Sequence, residues 1–108
     1  MKQYTTPEQT AKLIELGFEK PKNRVDGEIE EILKVIAPLG EFEMSFSNNR
    51  LAYTIGELIE ILDGKVTLEI DNDGGIWLVS TPIFDFIGAE LIDCLFDACV
   101  KLKEEGVI

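Results

Sequence analysis

The chain has 108 residues, of which 21 are acidic and 10 basic, giving a formal net charge of −11, and it contains no histidine. This length predicts one domain over residues 1–108, and the acidity argues against direct nucleic-acid binding, because phosphate contacts need clustered lysines and arginines. The lack of histidine excludes familiar zinc sites and the Ser-His-Asp and Cys-His catalytic centres, and no apolar run approaches the roughly 18 to 20 residues of a membrane span.

The first predicted helix covers residues 6–17. Thr6 is placed to cap its start, and Gln9 three residues later completes a capping box. Gly17 is a natural left-handed stop, after which Phe18 can pack back on the helix in a Schellman motif. The local signals at both ends therefore predict a short amphipathic helix.

The next part of the chain alternates between helix, strand and turn signals. Residues 19–24 are predicted as an exposed loop, and residues 26–37 as a second helix with Asp26 as its N-cap. Apolar and polar residues alternate over residues 42–46, which predicts a half-buried strand. A polar turn is expected over residues 47–50.

A further helix is predicted over residues 54–63, preceded by residues 51–53 as a short strand or an extended lead. Thr54 and Glu57 have the spacing of a capping box, and apolar residues follow at helical intervals. Gly64 is expected to end the helix.

The pattern then changes to a β-hairpin, with strands over residues 65–70 and 76–80 joined by a turn over residues 71–75. Two strands alone are marginally stable, so we expect residues 42–46 to join them in a three-stranded antiparallel sheet. Residues 81–87 are expected to form a loop packed against the core.

The longest and most apolar pattern is a helix over residues 88–105, which we expect at the centre of the fold. Its apolar face repeats at i, i+4, i+7 and i+11 as Leu91, Leu95, Ala98 and Leu102. Lys101 is placed for an ion pair with Asp97, and Gly106 is a suitable stop. The sequence therefore predicts an α+β domain with about four helices on a small three-stranded antiparallel sheet, the C-terminal helix being central.

No cofactor, metal or catalytic site is predicted. The turn over residues 71–75 contains the D-x-D-G core of a calcium loop, but strands flank it and Ser80 would occupy the position of the final bidentate acid. Cys94 and Cys99 point about 140° apart on one helix, so they are expected to be reduced and buried. Acidic pairs on the helices are expected to face solvent.

Four residues are candidates for an interaction surface: Trp77, Val79, Phe84 and Phe86. If a second layer covers their face of the hairpin, Trp77 and Val79 belong to the core, which is the reading we favour. If that face is open, they form an exposed contact patch.

The chain resembles small uncharacterised proteins of prophages and mobile elements in Bacteroides-like gut bacteria. The resemblance is carried by YTTPEQTAKLIELGFEKP at residues 4–21, YTIGELIEIL at 53–62, the single Trp77 in its hairpin, and GAELIDCLFDACVKLKEEGVI at 88–108. It covers most of the chain in order and is weakest over residues 26–47. The resemblance implies an intracellular, phage-associated protein, and it supplies no catalytic residues.

The leading functional hypothesis is a cytoplasmic, non-enzymatic accessory protein of a phage or mobile element that acts by protein-protein contact. The acidity suits a basic protein partner, although it also serves solubility alone. An acidic mimic of nucleic acid that inhibits a host nuclease or regulator is the alternative, and a small enzyme is a third. We also expect a weak homodimer through apolar surface near the C-terminal helix and residues 81–87, tightening as salt is raised.

Overall fold

The computed structural model describes residues 2–26 and 49–108, which form three helices and five strands. In chain order these elements are α1 (Pro7–Glu15), β1 (Asn23–Asp26), β2 (Asn49–Ala52), α2 (Ile55–Asp63), β3 (Glu69–Asp73), β4 (Ile76–Ser80), β5 (Asp85–Gly88) and α3 (Leu91–Glu104). The α+β prediction is confirmed, but the described residues hold three helices and not four. The predicted helix over residues 26–37 and the predicted strand over residues 42–46 lie outside them, except for Asp26, which is the last residue of β1.

Both short helices begin with the capping boxes that the sequence predicts. The backbone N–H of Gln9 donates to Thr6 Oγ1 over 3.1 Å, and the backbone N–H of Glu57 donates to Thr54 Oγ1 over 3.1 Å. Each cap satisfies a backbone donor that the first helical turn would otherwise leave without a partner. The two helix starts are therefore fixed by residues within one turn of them.

The helix stops differ from one another. At the end of α1, Gly17 has φ of 100°, and the N–H of Phe18 donates to the Leu13 carbonyl over 3.2 Å, which confirms the Schellman stop. At the end of α2, Gly64 has φ of −73°, a conformation open to any residue. Glycine is thus required by backbone geometry at the first stop and not at the second.

Helix α3 is the centre of the core, as predicted. It packs against α2, β5, β4 and α1. Its buried residues are Leu91, Ile92, Cys94, Leu95, Ala98, Cys99 and Leu102. The helix starts at Leu91, three residues later than expected, because β5 extends to Gly88. A Cβ atom at Gly88 would lie only 3.1 Å from Cys94 Sγ. The predicted Asp97 pairing is replaced by an ion pair of 3.0 Å between Lys101 and Glu105.

The three-stranded antiparallel sheet is confirmed, and among the described residues the strand that joins the hairpin is β5. The strand order is β3-β4-β5, with β4 in the middle. A tight turn produces β5: the hydroxyl of Thr81 donates to the Phe84 carbonyl and accepts from the Phe84 N–H, both over 2.9 Å. This turn reverses the chain. Residues 85–87, which were expected to lie in a loop, therefore pair with β4.

A second, two-stranded sheet joins β1 to β2 in antiparallel register, with Arg24 opposite Leu51. The predicted loop over residues 19–24 therefore gives way to a strand at Asn23. The strand option for the segment before α2 is the correct one, since β2 ends at Ala52.

Asp93 of α3 forms an ion pair with Lys2 and a hydrogen bond with Gln9, which connect the N-terminal segment to this helix. Asp93 Oδ1 lies 2.8 Å from Lys2 Nζ and accepts a hydrogen bond from Gln9 Nε2 over 2.9 Å. Partial burial raises the pKa of Asp93, but the hydrogen bonds from Lys2 and Gln9 and the Lys2 charge outweigh it, so the pKa is lower than usual. One turn later, burial and the neighbouring Asp93 raise the pKa of Asp97.

These opposite shifts predict opposite mutational effects on one helix. Asp93→Asn should lower the free energy of unfolding at pH 7 by about 0.5 to 1 kcal/mol, a range set by the half-exposed ion pair. Asp97→Asn should raise it by a few tenths of a kcal/mol, because a like-charge i, i+4 repulsion is removed. Since the folded pKa of Asp93 is depressed, its contribution is complete above the ordinary pKa of about 3.9 and is lost as the pH falls through the folded pKa. Urea unfolding of both variants between pH 7 and pH 3 measures this, and equal effects of the two substitutions would contradict it.

Candidate functional site

The two faces of the three-stranded sheet have different surroundings. Residues directly opposite each other on antiparallel strands point to the same face. Val79 lies opposite Ile70 on β3 and Phe86 on β5, and Trp77 lies opposite Asn72. Because Val79 is fully buried and packs in the core with α3, this set marks the inner face of the sheet.

The four sequence candidates for a contact surface do not form one. Val79 is 0% exposed and belongs to the core, the alternative that the sequence analysis favours for it. Trp77, Phe84 and Phe86 are half-buried and pack against the same core, as expected if a layer covers this face. Lys101 Nζ lies 5.2 Å from the ring centroid of Phe84, so that ring also has a cation over it. Helix α3 is the covering layer.

In the part of the chain that the structure describes, no helix or strand covers the outer face of the sheet, which carries an apolar centre. Leu78 lies directly opposite Ile87 of β5, and Ile76 lies two residues before Leu78 on β4. Ile87 is 71% exposed and Ile76 is 48% exposed. None of the three belongs to the core or packs against it.

Carboxylates border this apolar centre on two sides. Glu69, Asp71 and Asp73 alternate along β3 on the same outer face, and Asp85 extends from β5. All four are exposed, and β3, β4 and β5 contain no lysine or arginine. We call these four carboxylates, together with Ile76, Leu78 and Ile87, the acidic-apolar face.

The sequence interpretation missed this face because it depends on β5. Alternation in β4 showed only that Ile76 and Leu78 share one face. The sequence predicts a loop over residues 81–87, so it does not place Ile87 beside Leu78. The usable signal was the alternation of Phe84, Asp85 and Phe86 after a Thr-Pro turn.

A second surface lies where α1 and α2 end, beside the end of the chain. It is a groove of about 470 Å³. Its lining includes Gly17 and Gly64, the apolar residues Phe18, Tyr53, Ile61 and Ile108, the lysines Lys20, Lys22, Lys65 and Lys103, and the carboxylates Glu19, Glu57 and Glu60. Cations are favourable near helix C-termini, which accounts locally for Lys65 and Lys103. We call this the lysine groove.

Tyr53 in the lysine groove and the two cysteines of α3 are held in their neutral forms. Burial, followed by the nearby Glu57 and Cys99, raises the pKa of Tyr53 to about 12, and its hydroxyl donates to the Glu19 carbonyl. Burial raises the pKa of Cys99 to about 12 as well. Burial, Asp97 and Asp93 raise the pKa of the Cys94 thiol. These groups therefore stay protonated at neutral pH, where a nucleophile would need to ionise.

Two further site classes are not found in the described part of the chain. Across residues 2–26 and 49–108, no three His, Cys, Asp or Glu side chains come together in a group that could hold a metal ion. Over the same ranges, every helix is too short or too polar to cross a lipid bilayer. The two surfaces described above remain as the candidates for function.

Comparison with known proteins found no matching protein-family model, no matching curated protein and no matching solved structure. Function is therefore inferred from the chemistry of the acidic-apolar face and of the lysine groove.

Proposed function

We propose that this protein is a non-enzymatic binding protein that uses its acidic-apolar face to contact another protein. The observation that carries the proposal is Ile87, an isoleucine that is 71% exposed and stands directly opposite Leu78. Leaving apolar area in water costs about 25 cal/mol per Å², and an open apolar centre with a polar rim is typical of a contact site. Covering Ile76, Leu78 and Ile87 would recover that free energy.

The charges on the face define the chemistry of the partner. Four exposed carboxylates border the apolar centre, and the three strands supply no cation to balance them. A partner with both apolar and basic side chains complements this surface, whereas an acidic or purely polar partner does not. The proposal thus specifies a basic amphipathic segment or surface.

The cellular setting is a further part of the proposal. The resemblance to prophage and mobile-element proteins suggests an accessory protein that acts in the cytoplasm. A nucleic-acid mimic is a second candidate, and the row of Glu69, Asp71 and Asp73 along one strand favours it. The apolar centre beside that row favours protein contact over simple phosphate mimicry, because phosphates are bound by charge.

A pair of synthetic peptides tests the proposed function. The first is an amphipathic helix of leucine and lysine, and the second replaces every leucine with serine at the same charge. We expect the leucine-lysine peptide to shift amide resonances of β3, β4 and β5 and to bind more tightly than the serine-lysine peptide. A mimic that depends on charge alone would bind both peptides equally.

Substitution at Ile87 locates the binding. Ile87→Asn should lower the affinity for the leucine-lysine peptide by a factor of about ten or more, equivalent to about 1.4 kcal/mol of binding free energy. Tyr4→Asn is the control, because Tyr4 is also an exposed large side chain but lies outside the three strands. The proposed function is wrong if Ile87→Asn binds as the wild type does, or if the shifted resonances lie away from β3, β4 and β5.

A further inference from the structure

We infer that one partner of the acidic-apolar face is the lysine groove of a second copy of this chain, so that copies associate head to tail. The inference rests on the proposed function of the face, and it names the partner surface. It follows from a complementarity between two surfaces built from different elements: strands β3 to β5 carry one, and the ends of α1 and α2 with the C-terminal residues carry the other.

The lysine groove supplies the charge that the face lacks. It gathers four of the chain's ten basic side chains, in a protein of net charge −11. Within residues 2–26 and 49–108 the ion pairs are Lys2 with Asp93 and Lys101 with Glu105, so the groove lysines are not paired with a described carboxylate. Their ammonium groups are therefore available to carboxylates from outside.

The carboxylates of the groove reduce its positive charge but do not cancel it. Glu57 is already engaged, since its carboxylate accepts the backbone N–H groups of Thr54 and Lys22, each over 3.2 Å. Glu19 and Glu60 are exposed at the groove. Four lysines beside three glutamates leave the groove with a net side-chain charge of +1, whereas the face has four carboxylates and no cation.

The groove also offers an apolar surface to the apolar centre of the face. Phe18 and Ile61 are only partly buried although they pack against the core, and Lys103 Nζ lies 5.4 Å from the Phe18 ring centroid. Covering Ile87 with such side chains removes apolar area from water on both partners. The face and the groove therefore match in both charge and polarity.

The charges select head-to-tail association over a symmetric dimer. A symmetric contact between two acidic-apolar faces would set four carboxylates against four carboxylates, and a contact between two grooves would leave the carboxylates of both faces without a cation. Pairing a face with a groove avoids both. Helix α3 buries its own apolar residues within the chain, so of the apolar surface expected to support a homodimer the exposed part is in residues 81–87, at Ile83 and Ile87.

A complementation experiment with two variants tests the inference. The face variant carries Asp71→Asn, Asp73→Asn and Ile87→Asn, and the groove variant carries Lys22→Gln, Lys65→Gln and Lys103→Gln. By sedimentation velocity up to millimolar concentration, we expect the wild type to exceed the mass of one 12.1 kDa chain and each variant alone to stay monomeric. Mixed in equal amounts, the variants should form a complex of two chains and nothing larger, because one intact face and one intact groove remain.

Complementation in the mixture tests the inference better than the salt dependence of association does. Salt weakens the attraction between face and groove and also the overall repulsion between acidic copies, so its net effect does not identify the interface. Control variants make matched charge changes elsewhere: Glu15→Gln with Glu104→Gln for the face variant, and Lys12→Gln with Arg24→Gln and Lys101→Gln for the groove variant. Both should associate as the wild type does, and circular dichroism should show every variant folded.

Three outcomes would overturn the inference: a monomeric wild type at millimolar concentration, variants that still associate alone, or a mixture that stays monomeric. If the leucine-lysine peptide still binds at Ile87 in any of these cases, the proposed function survives and only the second copy is wrong. If the peptide also fails, the proposed function fails with it.

Discussion

Leu95→Ala is expected to lower the free energy of unfolding by about 2 to 5 kcal/mol, the range for truncating a fully buried leucine. Leu95 is 0% exposed on α3, the helix that contacts α1, α2 and the three-stranded sheet. The substitution removes apolar contacts and leaves a cavity that a helix packed on several sides cannot close. Urea unfolding followed by circular dichroism measures the loss.

Ile87→Ala is the matched control for this prediction. It also truncates a large aliphatic side chain, but one that is mostly in solvent, so its cost should stay below about 1 kcal/mol. A loss below about 1 kcal/mol for Leu95→Ala, or equal losses for the two variants, would show that α3 is peripheral.

Thr5→Val is expected to cost about 1 to 3 kcal/mol, because it leaves a buried backbone donor without a partner. Thr5 is fully buried, and its Oγ1 accepts the backbone N–H of Tyr53 over 3.0 Å and lies 2.7 Å from Thr10 Oγ1. Valine keeps the shape of the side chain and removes the hydroxyl. The measured effect therefore reports on hydrogen bonding rather than packing.

Two measurements separate this mechanism from ordinary packing loss. Thr5→Ser keeps the hydroxyl and loses one methyl group, so it should cost no more than about 1 kcal/mol. Amide hydrogen exchange at Tyr53 should accelerate in Thr5→Val and not in Thr5→Ser. If both variants behave alike, the hydroxyl of Thr5 does not support the Tyr53 backbone.

The features that the sequence predicts correctly depend on neighbours within a few residues. The capping boxes at Thr6 and Thr54 and the stop at Gly17 are formed by side chains and backbone groups inside one or two turns. The burial of α3 follows from the width of its apolar face, which few exposed environments could tolerate. Such signals do not depend on where the rest of the chain goes.

The features that it predicts wrongly depend on pairing between segments. The sequence predicts a loop over residues 81–87 and assigns the third strand of the sheet to residues 42–46, which lie outside the described residues. The turn closed by Thr81 brings Asp85–Gly88 alongside β4, which decides the matter for the described residues. Strand pairing is a choice among distant partners, and local pattern does not rank them.

The acidic-apolar face and the lysine groove both depend on contacts between distant segments. The sequence by itself determined the acidity, the absence of histidine chemistry, the three described helices and the apolar core around Leu95. Only the tertiary structure placed Ile87 beside Leu78, with carboxylates on either side of them. It also brought lysines from three separate segments into one groove. The physical reason is that helix ends and burial are set by interactions along the chain, whereas a surface is set by which distant segments become neighbours when the core closes.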